Sequence, residues 1–173
     1  CAQDCNEDPW YPLGNADMAV HMELSRIFIR EMTDMQIIEL TEVDGSRSFP
    51  IVIGLPEAFA IERRLKGQPI PRPQTHDLCA SIIRELGGEL VSIRINDLSN
   101  GTFYARLVVR TGDGEIEIDS RPSDAIALGV AEQVPIYVEE EVLQSAQQPS
   151  EAPPFAVDHE DEDEDDEDED EDD

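Results

Sequence analysis

Long apolar runs are missing from this 173-residue chain, and nothing in it approaches the roughly 18 consecutive apolar residues of a membrane-spanning helix. Nor is there a basic segment followed by an apolar one, as a secretory signal requires. The expectation is a soluble cytoplasmic protein with no membrane partner. Cysteine is nearly absent too. Cys1, Cys5 and Cys79 are too few and too unevenly placed for a disulfide framework. Cys1 and Cys5 lack the second ligand pair that a structural zinc site needs.

Bases are scarce as well. Lys and Arg number 12 against 41 Asp and Glu, a formal charge of −29. Every position from Asp158 to Asp173 except His159 is acidic, and without these fifteen acids the chain still carries 26 against 12 bases. Such a chain gains no general attraction to phosphate backbones, which argues against a plain nucleic-acid-binding module. Contact with nucleic acid then needs a local basic cluster or a bound cation. Arg63-Arg64 with Lys66 is the one such cluster.

Three regions follow from what is present. Residues 1–21 show no sustained period and are broken by Pro9, Pro12 and Gly14, so they are expected to be a poorly ordered arm or no part of the natural start. Residues 22–143 form the folded domain, beginning near Met22. Residues 144–173 are expected to be a disordered acidic tail, because like charges repel and little apolar surface is available to bury.

Within the domain, period-2 alternation marks strands at Leu24–Ile29, Met35–Leu40 and Ser48–Ile53, with Asp44-Gly45 as a hairpin turn. A helix starts at Pro56 and stops near Gly67. Extended Pro69-Ile70-Pro71-Arg72-Pro73 leads to a second helix, capped by Thr75 or Arg72. Its apolar residues Leu78, Ile82 and Leu86 recur at i, i+4, i+8, and Gly87-Gly88 end it. Strands at Leu90–Ile95, Thr102–Val109 and Ile116–Asp119 come next, with turns at Asp97–Gly101 and Gly112-Asp113-Gly114. Pro122 opens a third helix, and Val134–Val138 is a short last strand. Three strands running into a Pro-started helix thus occur twice. The expected fold class is α+β, a duplicated β-β-β-α unit with a mixed or antiparallel sheet and a few helices. Glu57 then corresponds to Asp124, and a pseudo-twofold axis would bring these acidic helix starts together.

Several separated motifs resemble the bifunctional nuclease domain: Pro50-Ile51-Val52-Ile53-Gly54, Thr75-His76-Asp77-Leu78, Asp97-Leu98 with Gly101-Thr102-Phe103-Tyr104-Ala105, and Asp119-Ser120-Arg121-Pro122-Ser123-Asp124-Ala125-Ile126-Ala127-Leu128. The likeness covers roughly residues 22 to 143. It implies an α+β fold and hydrolysis of phosphodiester bonds in both DNA and RNA, and brings no agreed catalytic residues with it. Some relatives carry a C-terminal helical hairpin where this chain has its acidic tail.

The residues themselves supply candidates. Asp119 and Asp124, with Asp97, can bind a divalent cation (Mg or Mn) that positions a phosphodiester and activates water. Equally, Asp124 can serve the helix dipole while Asp119 pairs with Arg121. Arg121 is a phosphate clamp or a structural ion-pair partner. His76 is a general base, a ligand or a cap. Glu57 divides as Asp124 does, between a catalytic place beside the cation as a candidate ligand and the positive end of its helix dipole. Arg63 and Arg64 are candidate phosphate contacts or a solvated helix face. Tyr104 is a candidate base-stacking ring, and its neighbour Phe103 points to the opposite strand face, so one of the two belongs to the core. The competing reading is a non-catalytic binding or regulatory module for a protein or small ligand. A homo-oligomer built through strand edges is the third.

Overall fold

A computed structural model describes residues 19–30 and 33–148. Strands β1 (Ala19–Phe28), β2 (Met35–Glu42) and β3 (Ser48–Gly54) form a meander, followed by helices α1 (Leu55–Leu65) and α2 (Thr75–Glu85). A second meander, β4 (Glu89–Ser99), β5 (Thr102–Thr111) and β6 (Gly114–Ser120), runs into α3 (Pro122–Gly129). A 3-10 turn at Val130–Glu132, β7 (Ile136–Glu139) and α4 (Glu140–Gln147) complete the described fold. The class is α+β, as expected. The β-β-β-α order does recur, but recurrence of order is a property of topology and does not establish that one half is a copy of the other.

The seven strands make one mixed sheet in the order β3-β2-β1-β7-β4-β5-β6. The short last strand joins the two meanders, antiparallel to β1 and parallel to β4. Inward residues alternate along the strands: Ile38 and Leu40, Phe49, Ile51 and Ile53, Ile93 and Ile95, Ala105, Leu107 and Val109 are all buried. Five interstrand steps separate β3 from β5, about 24 Å in a flat sheet at the usual spacing. Yet Phe49 and Phe103 stack with ring centroids 5.4 Å apart. The sheet therefore curls until its two wings meet over a shared core. Phe103 is the core member of the aromatic pair, and Tyr104 faces solvent.

Some boundaries differ from expectation. β1 begins at Ala19, ahead of Met22, because Ala19 to Met22 pair with β7. The rest of the N-terminal arm lies outside the described residues. Asp97 belongs to β4 rather than to a turn; the turn is Asn100-Gly101, both at positive φ (50° and 75°), as a two-residue hairpin requires. The stretch from residue 144 begins in helix, since α4 buries Val142 and Leu143 and Arg47 holds Glu140 at 2.8 Å. The remainder of the acidic tail lies outside the described residues.

Helix α2 departs most from its pattern. Its cap is Gln74, not Thr75 or Arg72. No residue of it is buried, and Leu78 (53%), Ile82 (48%) and Leu86 just beyond it (82%) are exposed. No helix among the described residues is long and apolar enough to cross a membrane.

Candidate active site

Three helix beginnings meet at one place. Pro56 and Pro122 each start a helix without wasting a backbone donor. Each is followed by an acid in the first turn, Glu57 in α1 and Asp124 in α3, where the helix dipole favours negative charge. Arg121, at the N-cap of α3, joins them. Its Nε donates to Asp124 Oδ2 at 2.6 Å and its Nη2 to Asp124 Oδ1 at 3.1 Å. Its Nη1 lies 2.9 Å from Glu57 Oε1. From the start of α2, His76 Nε2 lies 3.0 Å from Asp124 Oδ1.

Electrostatics fix the protonation pattern. Burial pushes the Asp124 carboxyl up, but the hydrogen bonds from Arg121 and His76 outweigh it and hold the group below the usual carboxylate range. Asp124 is therefore an ionised acceptor. A neutral His76 must then carry its proton on Nε2, leaving Nδ1 as the basic nitrogen. Arg121 is held more firmly protonated by Asp124 and Glu57. Its side chain remains 64% exposed while Glu57 is 18% exposed, so the guanidinium is anchored on its inner side and open on the other.

The expected phosphate contacts Arg63 and Arg64 are consumed instead. Asp77 accepts from Arg63 Nη2 at 2.7 Å and from Arg64 Nη1. Arg64 Nη2 donates to the Leu128 carbonyl at 3.1 Å. With side chains only 13% and 8% exposed, these arginines tie α1 to α2 and α3. The Nε atoms of both are buried without a partner among the described residues. Asp77 also accepts from the Gln74 backbone N–H at 3.0 Å. Sequence reasoning gave Asp77 no role, although the Gln74-to-Asp77 spacing is that of a capping box.

Glu57, His76, Arg121 and Asp124 are thus together; Asp119 and Asp97 are not part of their bonding. Asp119 is exposed on β6, in register with Arg106, and Arg121 pairs with Glu57 and Asp124 instead. Asp97 is exposed on β4 opposite Tyr104. Among the described residues no three His, Cys, Asp or Glu side chains form a group that could hold a metal ion. The set Asp97, Asp119 and Asp124 therefore does not fit a shared cation. Both Asp124 oxygens already accept hydrogen bonds.

Comparison with known proteins places this geometry. Residues 38–151 match the family model of the bifunctional nuclease domain. An uncharacterized protein of Mycobacterium tuberculosis is 43% identical over 120 residues, covering 69% of this chain and 71% of the relative. Bifunctional nuclease 2 of Oryza sativa subsp. japonica is 30% identical over 121 residues, 68% of this chain and 37% of its own length. Bifunctional nuclease 1 of Oryza sativa subsp. indica is 28% identical over 114 residues, 64% and 34% respectively. The rice proteins are thus much longer than the shared part; the family-model match, residues 38–151, contains all three helix starts described above. This chain belongs to the bifunctional nuclease domain family.

Proposed function

We propose that the chain is a nuclease, hydrolysing phosphodiester bonds of DNA and RNA at the junction of α1, α2 and α3. The supporting observation is the bridge itself: one guanidinium held by two helix-start acids, with a histidine on the same carboxylate. In this reading the exposed side of Arg121 takes a phosphate oxygen, and Glu57 keeps the guanidinium aimed. His76 Nδ1 accepts the proton of the attacking water while Asp124 orients the ring. The water oxygen bonds to phosphorus, and the leaving sugar oxygen takes a proton from solvent. No step runs through a metal, because the acids do not assemble a ligand set.

The test uses the purified chain at trace concentration with end-labelled single-stranded DNA and RNA, with EDTA, Mg²⁺ or Mn²⁺. His76→Ala and Asp124→Asn are each expected to slow cleavage by about 100-fold or more, the range for losing general base catalysis. Asp119→Asn is expected to cleave as wild type does. Equal cleavage by all four proteins would remove the cluster from the mechanism. The prior pairing of Arg121 with two acids favours one competing reading, a non-catalytic module. That reading requires saturable binding with no product in any metal condition.

A further inference from the structure

The acids that open α1, α2 and α3 share one position. Glu57, Asp77 and Asp124 are each the third residue of their helix, where an acidic side chain can fold back towards the N-cap. Each finds something different there. Asp77 accepts from the Gln74 backbone N–H, and Asp124 accepts from the side chain of Arg121, its own N-cap. Glu57 finds Gly54, an N-cap with no side chain at all.

The carboxylate occupies the place a side chain would take. A Cβ added to Gly54 would come within 3.0 Å of Glu57 Oε2, closer than real Cβ atoms approach, and 3.3 Å from Glu57 Cδ. The next atom, Pro56 Cδ, stands at an ordinary 3.6 Å. Backbone geometry makes no demand for glycine, since φ −74° and ψ 161° are common extended values. The collision is therefore with Glu57 and with little else. Its other oxygen, Oε1, is the one 2.9 Å from Arg121 Nη1. Both oxygens belong to one planar group, so displacing Oε2 moves Oε1. The inner anchor of Arg121 is then lost or dragged with it.

We infer that Gly54 is a positioning residue: its bare α-carbon makes room for the Glu57 carboxylate, which in turn aims Arg121. The contact stands on geometry alone, while its consequence for cleavage rests on the nuclease reading. A matched collision lies at the β2–β3 turn. A Cβ on Gly45 would strike Oε2 of Glu42 in the same way, and that carboxylate holds Arg47 instead.

Two kinds of measurement on the full chain test it. Pairing slows rotation of guanidinium nitrogens, which nitrogen-15 NMR detects. Wild type is expected to show slowed rotation at Arg121 Nη1, and Gly54→Ala and Glu57→Ala to lose it alike, whether or not nucleic acid is cleaved. On a labelled oligonucleotide, both variants are expected to lose about 10- to 100-fold in kcat/KM, the range for misplacing a group by about an ångström. The Gly54→Ala, Glu57→Ala double variant is expected to cleave no more slowly than Glu57→Ala. It should also unfold at no lower denaturant concentration, because the new methyl then meets no carboxylate and alanine restricts the unfolded chain. Gly45→Ala is expected to cleave as wild type does. Unchanged Arg121 signals in Gly54→Ala overturn the proposal. So does wild-type cleavage by that variant, a further loss in the double variant, or a double variant less stable than Glu57→Ala. No cleavage by wild type in any metal condition removes the nuclease reading instead, and the guanidinium signals then decide the role of Gly54.

Discussion

Asp77 ties α2 to α1 beside the site. It receives Arg63 and Arg64 of α1 and the backbone of Gln74, and it adjoins His76. Removing its charge strands two guanidinium groups with little water, since their side chains are 13% and 8% exposed. Asp77→Asn is therefore expected to lower unfolding free energy by about 3 kcal/mol, the cost of breaking a buried pair from one side, measured by urea denaturation. The pH dependence carries a definite sign. Burial raises the Asp77 carboxyl, but the Gln74 N–H and the two arginines prevail and hold it below its ordinary 3.8. A group depressed on folding stabilises fully above its unfolded value and loses that contribution as pH falls through the folded one. The gap between wild type and Asp77→Asn should thus be constant near neutrality and shrink below about pH 4. A gap that widens in acid would contradict the assigned ionisation. At this scale the sequence exposed Glu57, Arg121 and Asp124 readily, because a Pro-started helix with an early acid is a local pattern. It misled at Arg63 and Arg64, whose partner lies 14 and 13 residues away on a different helix.

Periodicity says that α2 has an apolar stripe but not which way the stripe points. That direction is set by the tethers of His76 and Asp77 to neighbouring helices, which leave Leu78 and Ile82 exposed while Ala80 and Ile83 pack against the core. Helix α4 was missed for the opposite reason: Val142 and Leu143 are a short apolar signal beside a strongly acidic run, and only packing reveals them as buried. Helix α3 was the most legible, since Pro122 opens it and Ala125, Ile126 and Leu128 bury its body. Its end is equally constrained. A Cβ on Gly129 would lie 2.8 Å from Ile93 Cδ1 and 2.9 Å from Val134 Cβ. Gly-to-Ala in an open helix stabilises by up to about 1 kcal/mol, but overpacking a filled core costs about 1–3 kcal/mol. Gly129→Ala is expected to destabilise by the net, about 1 kcal/mol or more, in denaturant titration. Gly112→Ala, where a Cβ meets nothing within 4 Å, is the control expected to stay near wild type. An unchanged Gly129→Ala midpoint would show that α3 shifts freely against β4.

For the whole molecule, the class α+β and most strands follow from local alternation, whereas the sheet order does not. β7 pairs with β1 through Ala19 and Glu139, a contact that no window along the chain contains, and the curl that stacks Phe49 on Phe103 depends on it. Charge is the global property that sequence does state outright, and it bears directly on any nucleic-acid substrate. A protein of charge −29 repels a polyanion at distances up to the Debye length, about 10 Å at 0.1 M salt. Only at contact does Arg121 offer attraction. The salt response should therefore run opposite to that of a basic nucleic-acid binder, whose affinity falls as salt rises. From low ionic strength, kcat/KM is expected to rise with modest salt as the repulsion is screened, then fall once the Arg121–phosphate contact is screened too. Removing residues 158–173 takes away fifteen acids. That truncation is expected to raise kcat/KM at low salt by about 10-fold, the lower end of electrostatic effects on encounter, and to flatten the rising limb while leaving kcat unchanged. Initial rates on one labelled oligonucleotide across a salt series, for both proteins, decide it. A monotonic fall with salt in the full-length chain would mean that the substrate meets a locally positive surface, and that the tail is kept away from it.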